Sequence, residues 1–478
     1  MAAIGNRTTA RFNAHAARAL ESSVLQQAIR RRQDSRQELQ TRAAEELPDW
    51  EVWKDSVEAV RTHTIAHLDH YLGQFADAVE RRGGHVFFAA NADEAREHVA
   101  QLAREKNAKL IVKSKSMLSE EIGLNGALQA SGAEVVETDL GEFIIQLAHE
   151  TPFHILGPAS HKKLEEIRDL FETLSGEELA CEPRALAAFA RQYLREKFLA
   201  ADMGITGCNF GVASEGSVVL VTNEGNGRMT SSLPRTHVVL MGMERLVPDL
   251  QSLEPMLTVL PRSANGVRST VYVSIINGPR QHGDLDGPED LHVIVVDNGR
   301  SQILGGDYRD ILNCIRCGAC LDNCPVYRHI GGHAYGPVYS GPIGAVLTPL
   351  LQGLEAQHHL PFACSLCGAC GDVCSARVPL PDFLLSLRND SVQKGLGKLS
   401  WQAGFRGFSE ATTRPRFWEL CLRSARLGLW PWARRGAVRN GPGPLRGWTR
   451  SRDLPALAAR SFRRTWREDG DSPSEGGS

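Results

Sequence analysis

The sequence predicts an α/β protein: a parallel-sheet domain preceded by helices and followed by a helical, cysteine-rich module and a helical or irregular tail. Three observations predict it. From about residue 85, short apolar strands alternate with helix-length segments, the pattern of βαβ units around a parallel sheet. Eight of the eleven cysteines fall between Cys314 and Cys374, in two tight groups. Six of the eight tryptophans and fifteen arginines lie beyond residue 394.

At 478 residues the chain is longer than one small module, and a prior of about 150 residues per domain gives two to four units. An apolar content of 42% with 23% charged residues excludes a wholly disordered chain. The net charge of −2 hides a split. Residues 394–478 carry 17 Lys+Arg against 7 Asp+Glu, or +10, which leaves −12 on residues 1–393. An acidic body excludes a protein that coats nucleic acid, so no nucleic-acid partner is expected. No run approaches the ~18 apolar residues of a membrane span, and none of signal-peptide length follows the first basic residue. The expectation is a cytoplasmic protein whose membrane contact, if any, is peripheral, at the inner face and through the tail.

Taken in order, residues 1–83 read as helical and charged. Leu68, Tyr71, Leu72, Phe75 and Val79 recur at helical spacing and mark an amphipathic helix that ends near Gly83-Gly84. Residues 84–305 form the α/β domain. His85–Ala90 is a strand, Asp93–Glu105 a helix capped by Asn91 or Asp93, Lys109–Val112 a strand, Leu118–Ser131 a helix and Glu134–Glu137 a strand. Later strands are Gly216–Thr222, His237–Gly242, Thr270–Ile276 and Leu291–Asp297. Their Val/Ile richness is that of strands buried on both faces of a parallel sheet. Residues 306–394 hold the cysteine module and residues 395–468 the Trp/Arg-rich region. Residues 469–478, polar and rich in Gly and Ser, are expected to be disordered.

The first cysteine group is Cys314-x2-Cys317-x2-Cys320-x3-Cys324-Pro325 and the second is Cys364-x2-Cys367-x2-Cys370-x3-Cys374. This is the bacterial ferredoxin rhythm. Three cysteines two residues apart wrap one face of a cubane, and the fourth, on a following helix, reaches the other cluster. The spacing therefore predicts two [4Fe–4S] clusters with crossed ligands: Cys314, Cys317, Cys320 and Cys374 for the first, Cys364, Cys367, Cys370 and Cys324 for the second. Gly318-Ala319 and Gly368-Ala369 leave room for backbone N–H groups to approach the sulfurs. The alternative is a pair of zinc sites, but structural zinc takes two C-x2–4-C knuckles per ion, a different rhythm. One departure is that Ser375, not proline, follows Cys374. The spacer contains a helical segment, Ala345–Leu354, and another, Leu380–Arg388, follows. In this the module resembles the α-helical ferredoxin module of dehydrogenase electron-transfer subunits.

The α/β domain offers a polar site. Lys113, Ser114, Lys115 and Ser116 follow directly on a strand, and open α/β sheets bind ligands at the carboxyl ends of their strands. Two cations and two hydroxyls there suit a carboxylate or phosphate. Glu137 and Asp139 end the next strand and can serve as acid–base groups or as cation partners. Asn223, Gly225, Asn226, Gly227 and Arg228 follow another strand, where the glycines admit a ligand and Arg228 can bind a carboxylate bidentately. The plainer reading makes Lys113 and Lys115 a solvated strand end with Glu137 and Asp139 as their salt-bridge partners, and the Asn/Gly run a turn. No dinucleotide fingerprint or phosphate-binding P-loop is present.

Several runs resemble a known family. They are Lys113–Met117, Glu120–Asn125, Val135–Leu147, His154-Ile155 with Pro158–His161, and Gly207–Leu233 containing Thr222-Asn223-Glu224-Gly225-Asn226-Gly227-Arg228. With the ferredoxin motifs behind them, they resemble the lactate utilization protein B family, the iron–sulfur component of an L-lactate oxidation system. The resemblance covers most of the chain. It implies an α/β domain similar to the sugar-isomerase and CoA-transferase fold, other subunits as partners, and electron relay while L-lactate becomes pyruvate, with a non-catalytic or partner-dependent role. Two alternatives stay open: a self-sufficient hydroxy-acid oxidoreductase whose α/β domain binds substrate, and a cluster-bearing regulatory or scaffold protein. The tail reads as a partner-docking surface, an anionic-membrane contact or a self-packing cover.

Overall fold

A computed structural model describes residues 2–397, 399–443 and 445–470. Residues up to Lys394 form one compact unit and residues from Gly395 a second. Of the segment 469–478 expected to be disordered, residues 471–478 lie outside the described residues, and Asp469 and Gly470 end the helix Phe462–Gly470.

The chain opens with four helices, α1 Ala2–Glu21, α2 Ser23–Glu45, α3 Trp50–Ala66 and α4 Leu68–Arg81. The Ser22 hydroxyl caps α2 by accepting from the Leu25 N–H at 3.3 Å. In α4, Leu68, Phe75 and Val79 are buried, as the periodicity predicts. Several polar side chains of α2 and α3 turn inward rather than to solvent. Gln33 Nε2 in α2 donates to the carbonyls of Leu321 and Cys324 at 2.8 and 3.2 Å, and Gln37 Nε2 to that of Asp322 at 2.8 Å. Arg61 in α3 is buried at 1% exposure. Its guanidinium donates to the carbonyls of Leu246 and Leu312, each at 2.7 Å, of Asn313 at 3.4 Å, and of Glu244.

Ten strands follow in this unit: β1 His85–Ala89, β2 Leu110–Lys113, β3 Glu134–Glu137, β4 Met203–Thr206, β5 Phe210–Val212, β6 Ser217–Thr222, β7 Thr236–Gly242, β8 Leu246–Val247, β9 Tyr272–Ile276 and β10 Asp290–Val296. Six make one wholly parallel sheet in the order β1-β10-β7-β4-β2-β3. Its central strands are apolar and sealed on both faces: Ile111, Val112, Ile205, Val238, Val239 and Ile294 are fully buried.

Three expectations are corrected. The segments Gly216–Thr222 and Thr270–Ile276 do not join the parallel sheet. They are β6 and β9 of a second, mixed sheet in the order β8-β5-β6-β9, where β6 runs antiparallel to both neighbours. Strand β9 is an edge, with Val273 and Ile275 exposed at 44% and 47%; its Val/Ile content reflects strand propensity rather than two-sided burial. The segment Leu118–Ser131 is two helices, Met117–Glu121 and Leu124–Ala130, broken where Gly123 takes a left-handed φ of 65°. The central strand β4 escapes the apolar pattern because it is short and contains Gly204. A Cβ there would sit 1.9 Å from the Thr230 carbonyl oxygen, so glycine lets the helix Asn226–Ser232 press onto the sheet.

In the cysteine module the helices Gly341–Gln352 and Leu380–Gln393 fall where the sequence places them. The second unit comprises helices Leu399–Thr412, Pro415–Leu429, Leu445–Thr449 and Phe462–Gly470 with a small antiparallel sheet of Ala433–Arg434, Ala437–Val438 and Leu454–Pro455. Trp430, Trp432, Trp448 and Trp466 are exposed. Among the described residues, no helix is long and apolar enough to cross a membrane.

Arg61→Met leaves four buried carbonyls without their donor. Each lost charge-assisted bond and stranded acceptor costs about 1–3 kcal/mol. Chemical denaturation of the full chain should show a loss of at least ~3 kcal/mol in total, and an unchanged midpoint would refute the role given to this residue.

Candidate functional site

The two cysteine loops fold alike. In each, the second spacer residue (Arg316, φ 60°; Leu366, φ 54°) and the glycine after the second cysteine (Gly318, φ 79°; Gly368, φ 85°) are left-handed. Left-handed backbone at non-glycine residues is strained, and its repetition at matching positions marks loops shaped for a purpose. The turn directs backbone N–H groups at sulfur: Arg316 N–H points to Cys314 Sγ at 3.4 Å and Leu366 N–H to Cys364 Sγ at 3.2 Å. Tyr327 and Val378 N–H do the same for Cys324 and Cys374, at 3.4 and 3.3 Å.

The fourth cysteine of each group goes to the other loop. Cys314, Cys317, Cys320 and Cys374 line one small chamber, walled by apolar residues such as Ile155, Ile343 and Val378. Burial, then the nearby Cys374 and Cys314, push the Cys317 thiol up to about 12. Cys324 is pushed up to about 11, first by burial and then against Cys364 and Cys367. Cys370 rises to about 12 by burial and the charges of Cys364, Cys324 and Cys367. In the first chamber the four cysteines are half-buried; in the second set Cys324 and Cys370 are buried, Cys364 is half-buried and Cys367 exposed. Thiols gathered this closely are a soft donor set that suits a cationic metal centre, so the residues fit a metal cluster. Ser375 is fully buried, and its hydroxyl points to Cys317 Sγ at 3.9 Å. The chain turns after Cys374 without a proline because Arg377 adopts a left-handed φ of 48°.

Beside this chamber lies a polar cavity of about 400 Å³. It opens at the carboxyl ends of the parallel strands: Ser114, Lys115 and Ser116 after β2, Asp139 after β3, Asn209 after β4, Glu244 and Arg245 after β7, and Arg300 after β10. Asn223, Glu224 and Asn226, after β6, complete it. Ile155, Ile315 and Arg316 line both the cavity and the cysteine chamber.

The sequence-predicted residues divide. Ser114, Lys115, Ser116, Asp139, Asn223 and Asn226 line the cavity. Ser116 and Asp139 also cap helices, Asp139 Oδ1 accepting from the N–H groups of Gly141 and Glu142 at 3.0 and 3.2 Å. Lys113, Glu137, Gly225, Gly227 and Arg228 do not line it. Lys113 and Glu137 are a buried ion pair at 2.7 Å, with Ser119 Oγ 2.6 Å from the ammonium and Asn125 Nδ2 2.7 Å from the carboxylate. Burial opposes the Lys113 charge, but Glu137 and Glu120 more than restore it and hold its pKa above the ordinary value. Arg228 lies 5.6 Å over the Tyr272 ring.

Sequence reading missed the cavity floor. Arg300 joins Glu121 at 2.8 Å and Glu244 at 2.8 Å, all three buried. Burial alone would raise Glu244, but Arg300, Arg245 and Arg316 overcome it and hold its carboxyl at about 2. Arg316 lies 4.8 Å over the Tyr339 ring, whose hydroxyl donates to Glu121 at 2.7 Å. The available signal was position: Glu244-Arg245 lies one residue beyond the predicted strand His237–Gly242. At the mouth, burial against the wall and then the charge of Asp139 push Glu224 up to about 7.

Residues 72–296 match the LUD domain family, residues 310–378 the 4Fe-4S dicluster domain, and residues 390–471 the C-terminal domain of lactate utilisation protein B. The chain is similar to lactate utilization protein B of Oceanobacillus iheyensis, with 47% identity over 94% of each chain, and to that of Shouchella clausii, with 46% over 95% of each. A relative of the same name from Geobacillus kaustophilus is 48% identical over 90% of this chain and 91% of its own. The crystal structure of a DUF162 family protein from Deinococcus radiodurans aligns to 48% of this chain and 98% of its own, at 15% identity and a TM-score of 0.28.

Lys113→Met strands Glu137 in the core and should cost about 3–5 kcal/mol. Adding Glu137→Leu should recover most of that loss in denaturation midpoints. A double variant no more stable than Lys113→Met would refute the purely structural role of the pair.

Proposed function

The chain belongs to the lactate utilization protein B family, and on that premise we propose that it is the iron–sulfur electron-transfer component of a system oxidising L-lactate to pyruvate. The observation that carries the reading is the crossed convergence of the eight cysteines. We assign Cys314, Cys317, Cys320 and Cys374 to one [4Fe–4S] cluster and Cys364, Cys367, Cys370 and Cys324 to the other. When bound, such clusters supply one-electron transfer. The chain's own contribution is to fix the thiolates, wall the first chamber with apolar residues, and aim backbone N–H groups at sulfur, which tunes affinity for the electron.

The lactate assignment comes from the named relatives. The other subunits supply the two-electron chemistry in this reading, and the basic, Trp-rich unit beyond Gly395 is where we place contact with them. A second reading, that the α/β domain itself receives the hydroxy acid, is favoured by one observation: the polar cavity shares Ile155, Ile315 and Arg316 with the first cysteine chamber.

Anaerobically purified chain should carry about eight irons and show reducible clusters, yet leave L-lactate unoxidised until its partners are added. Dye reduction by L-lactate with the chain alone would overturn the relay in favour of the second reading, and zinc in place of iron would end both. Cys314→Ser should remove the first cluster. Cys324→Ser should damage the second, and loss of the first instead would break the crossed assignment.

A further inference from the structure

The polar cavity holds more positive charge than its own acids neutralise. Arg300 is saturated: its guanidinium meets the two oxygens of Glu121 at 2.9 and 2.8 Å and Glu244 at 2.8 Å. Glu244 must then also answer Arg245 and Arg316, each at 3.6 Å, beyond hydrogen-bond reach. The Arg316 side chain is only 9% exposed, and its Nε and Nη1 are sealed from solvent with no hydrogen-bond partner among the described residues. Lys115 has neither hydrogen bond nor ion pair among the described residues, although it lines the same cavity.

Neutral donors are oriented there too. Asn226 is 5% exposed, and its Oδ1 accepts from the Gly227 N–H at 2.8 Å, which leaves its NH2 end without a partner among the described residues. Asn209 Oδ1 is likewise fixed by the Val221 N–H at 2.9 Å. Anchoring the carbonyl end of an amide presents the donor end. Acceptors line the same cavity: Asp139 uses only Oδ1 for its helix cap, and the Glu224 carboxylate accepts a single N–H, from Leu140 at 3.3 Å.

We propose that this cavity is a binding site for a small hydroxycarboxylate. The carboxylate lies against Lys115 and the Arg245–Arg316 pair, with amide donors from Asn209 and Asn226, and the hydroxyl donates to Asp139 or Glu224. The volume is in the range of small-molecule sites, and the Cys314–Cys317 loop forms one wall, so the ligand sits next to the first cysteine chamber. This deepens the second reading above, that the α/β domain receives the hydroxy acid, and is separable from the electron relay.

The test is calorimetric titration of the anaerobic, iron-loaded full chain with L-lactate, glycolate, acetate and inorganic phosphate, with iron content and reducible clusters measured on the same sample. The two hydroxy acids should bind saturably, at least about tenfold tighter than acetate. Lys115→Gln and Asn226→Ser should each weaken them by a similar factor while iron content is retained. Arg228→Gln, outside the cavity, should leave binding unchanged. L-lactate should also alter the electron paramagnetic resonance spectrum of the reduced protein. Intact clusters with no saturable binding would overturn the site and leave the relay standing. Equal binding of acetate would remove the role of the hydroxyl, and preference for phosphate would overturn the carboxylate assignment. A chain that binds hydroxy acids but no iron would instead overturn the relay.

Discussion

The structure depends on the buried guanidinium of Arg61. Burial draws its pKa down to about 10, still well above neutrality, so it remains charged with no carboxylate hydrogen-bonded to it. What stabilises it is backbone: four carbonyls from two remote stretches, 244–246 and 312–313, converge on one side chain of α3. The neighbouring Thr62 hydroxyl accepts from Asn313 Nδ2 at 3.1 Å. Further along α3, Lys54 donates to the Asp372 carbonyl at 3.2 Å, and Glu51 and Asp55 pair with Arg377 at 2.9 and 2.6 Å. Glu51, Lys54, Asp55, Arg61 and Thr62 follow helical spacing, so one helix carries the contacts to both cysteine loops. The N-terminal helices therefore hold the cysteine module against the second sheet.

That arrangement also accounts for the charge around the first chamber. Arg61, Arg245 and Arg316 all feel the sulfur of Cys314, and Arg245 Nη1 reaches the Cys314 carbonyl at 3.4 Å. Clustered thiolates repel one another and carry net negative charge even around iron. Buried guanidiniums held by carbonyls and by Glu244 offset that charge without bringing in water. Arginine suits this role better than lysine, because its planar fork satisfies several acceptors at once and keeps its charge on burial.

Much of this was legible. The ferredoxin rhythm located all eight cysteines, and the strand-end positions located Ser114, Lys115, Ser116, Asp139, Asn223 and Asn226 at one cavity. What failed had a common cause, that charge and polarity in a sequence are read as exposure. Lys113 and Arg61 look like solvated positions, yet each is 1% exposed because its partners arrive from distant segments. Glu244, Arg300 and Tyr339 are separated by up to 95 positions in the chain, and no local pattern joins them. The second sheet was missed for a related reason. β6 and β9 have the composition of buried parallel strands, and only pairing partners reveal that β9 is an edge.

The cavity and the cysteine chamber are best regarded as one device. The sequence places a boundary at residues 305 and 306, and the LUD and 4Fe-4S matches stop and start on either side of it. No gap exists there in three dimensions. Arg300 lies at the cavity floor a few residues before the boundary, and Arg316, a few residues after it, faces the same carboxylate of Glu244. A charge placed in the cavity therefore acts on the loop that holds Cys314 and Cys317 through Arg316, which lines both, and Arg245, which reaches the Cys314 carbonyl, without domain motion. Such coupling needs a fixed geometry, which the left-handed backbone of Arg316, its Tyr339 contact and the Arg61 network provide together. A linker between independent domains offers no such constraint, and this is the physical reason for the two modules to pack as one unit.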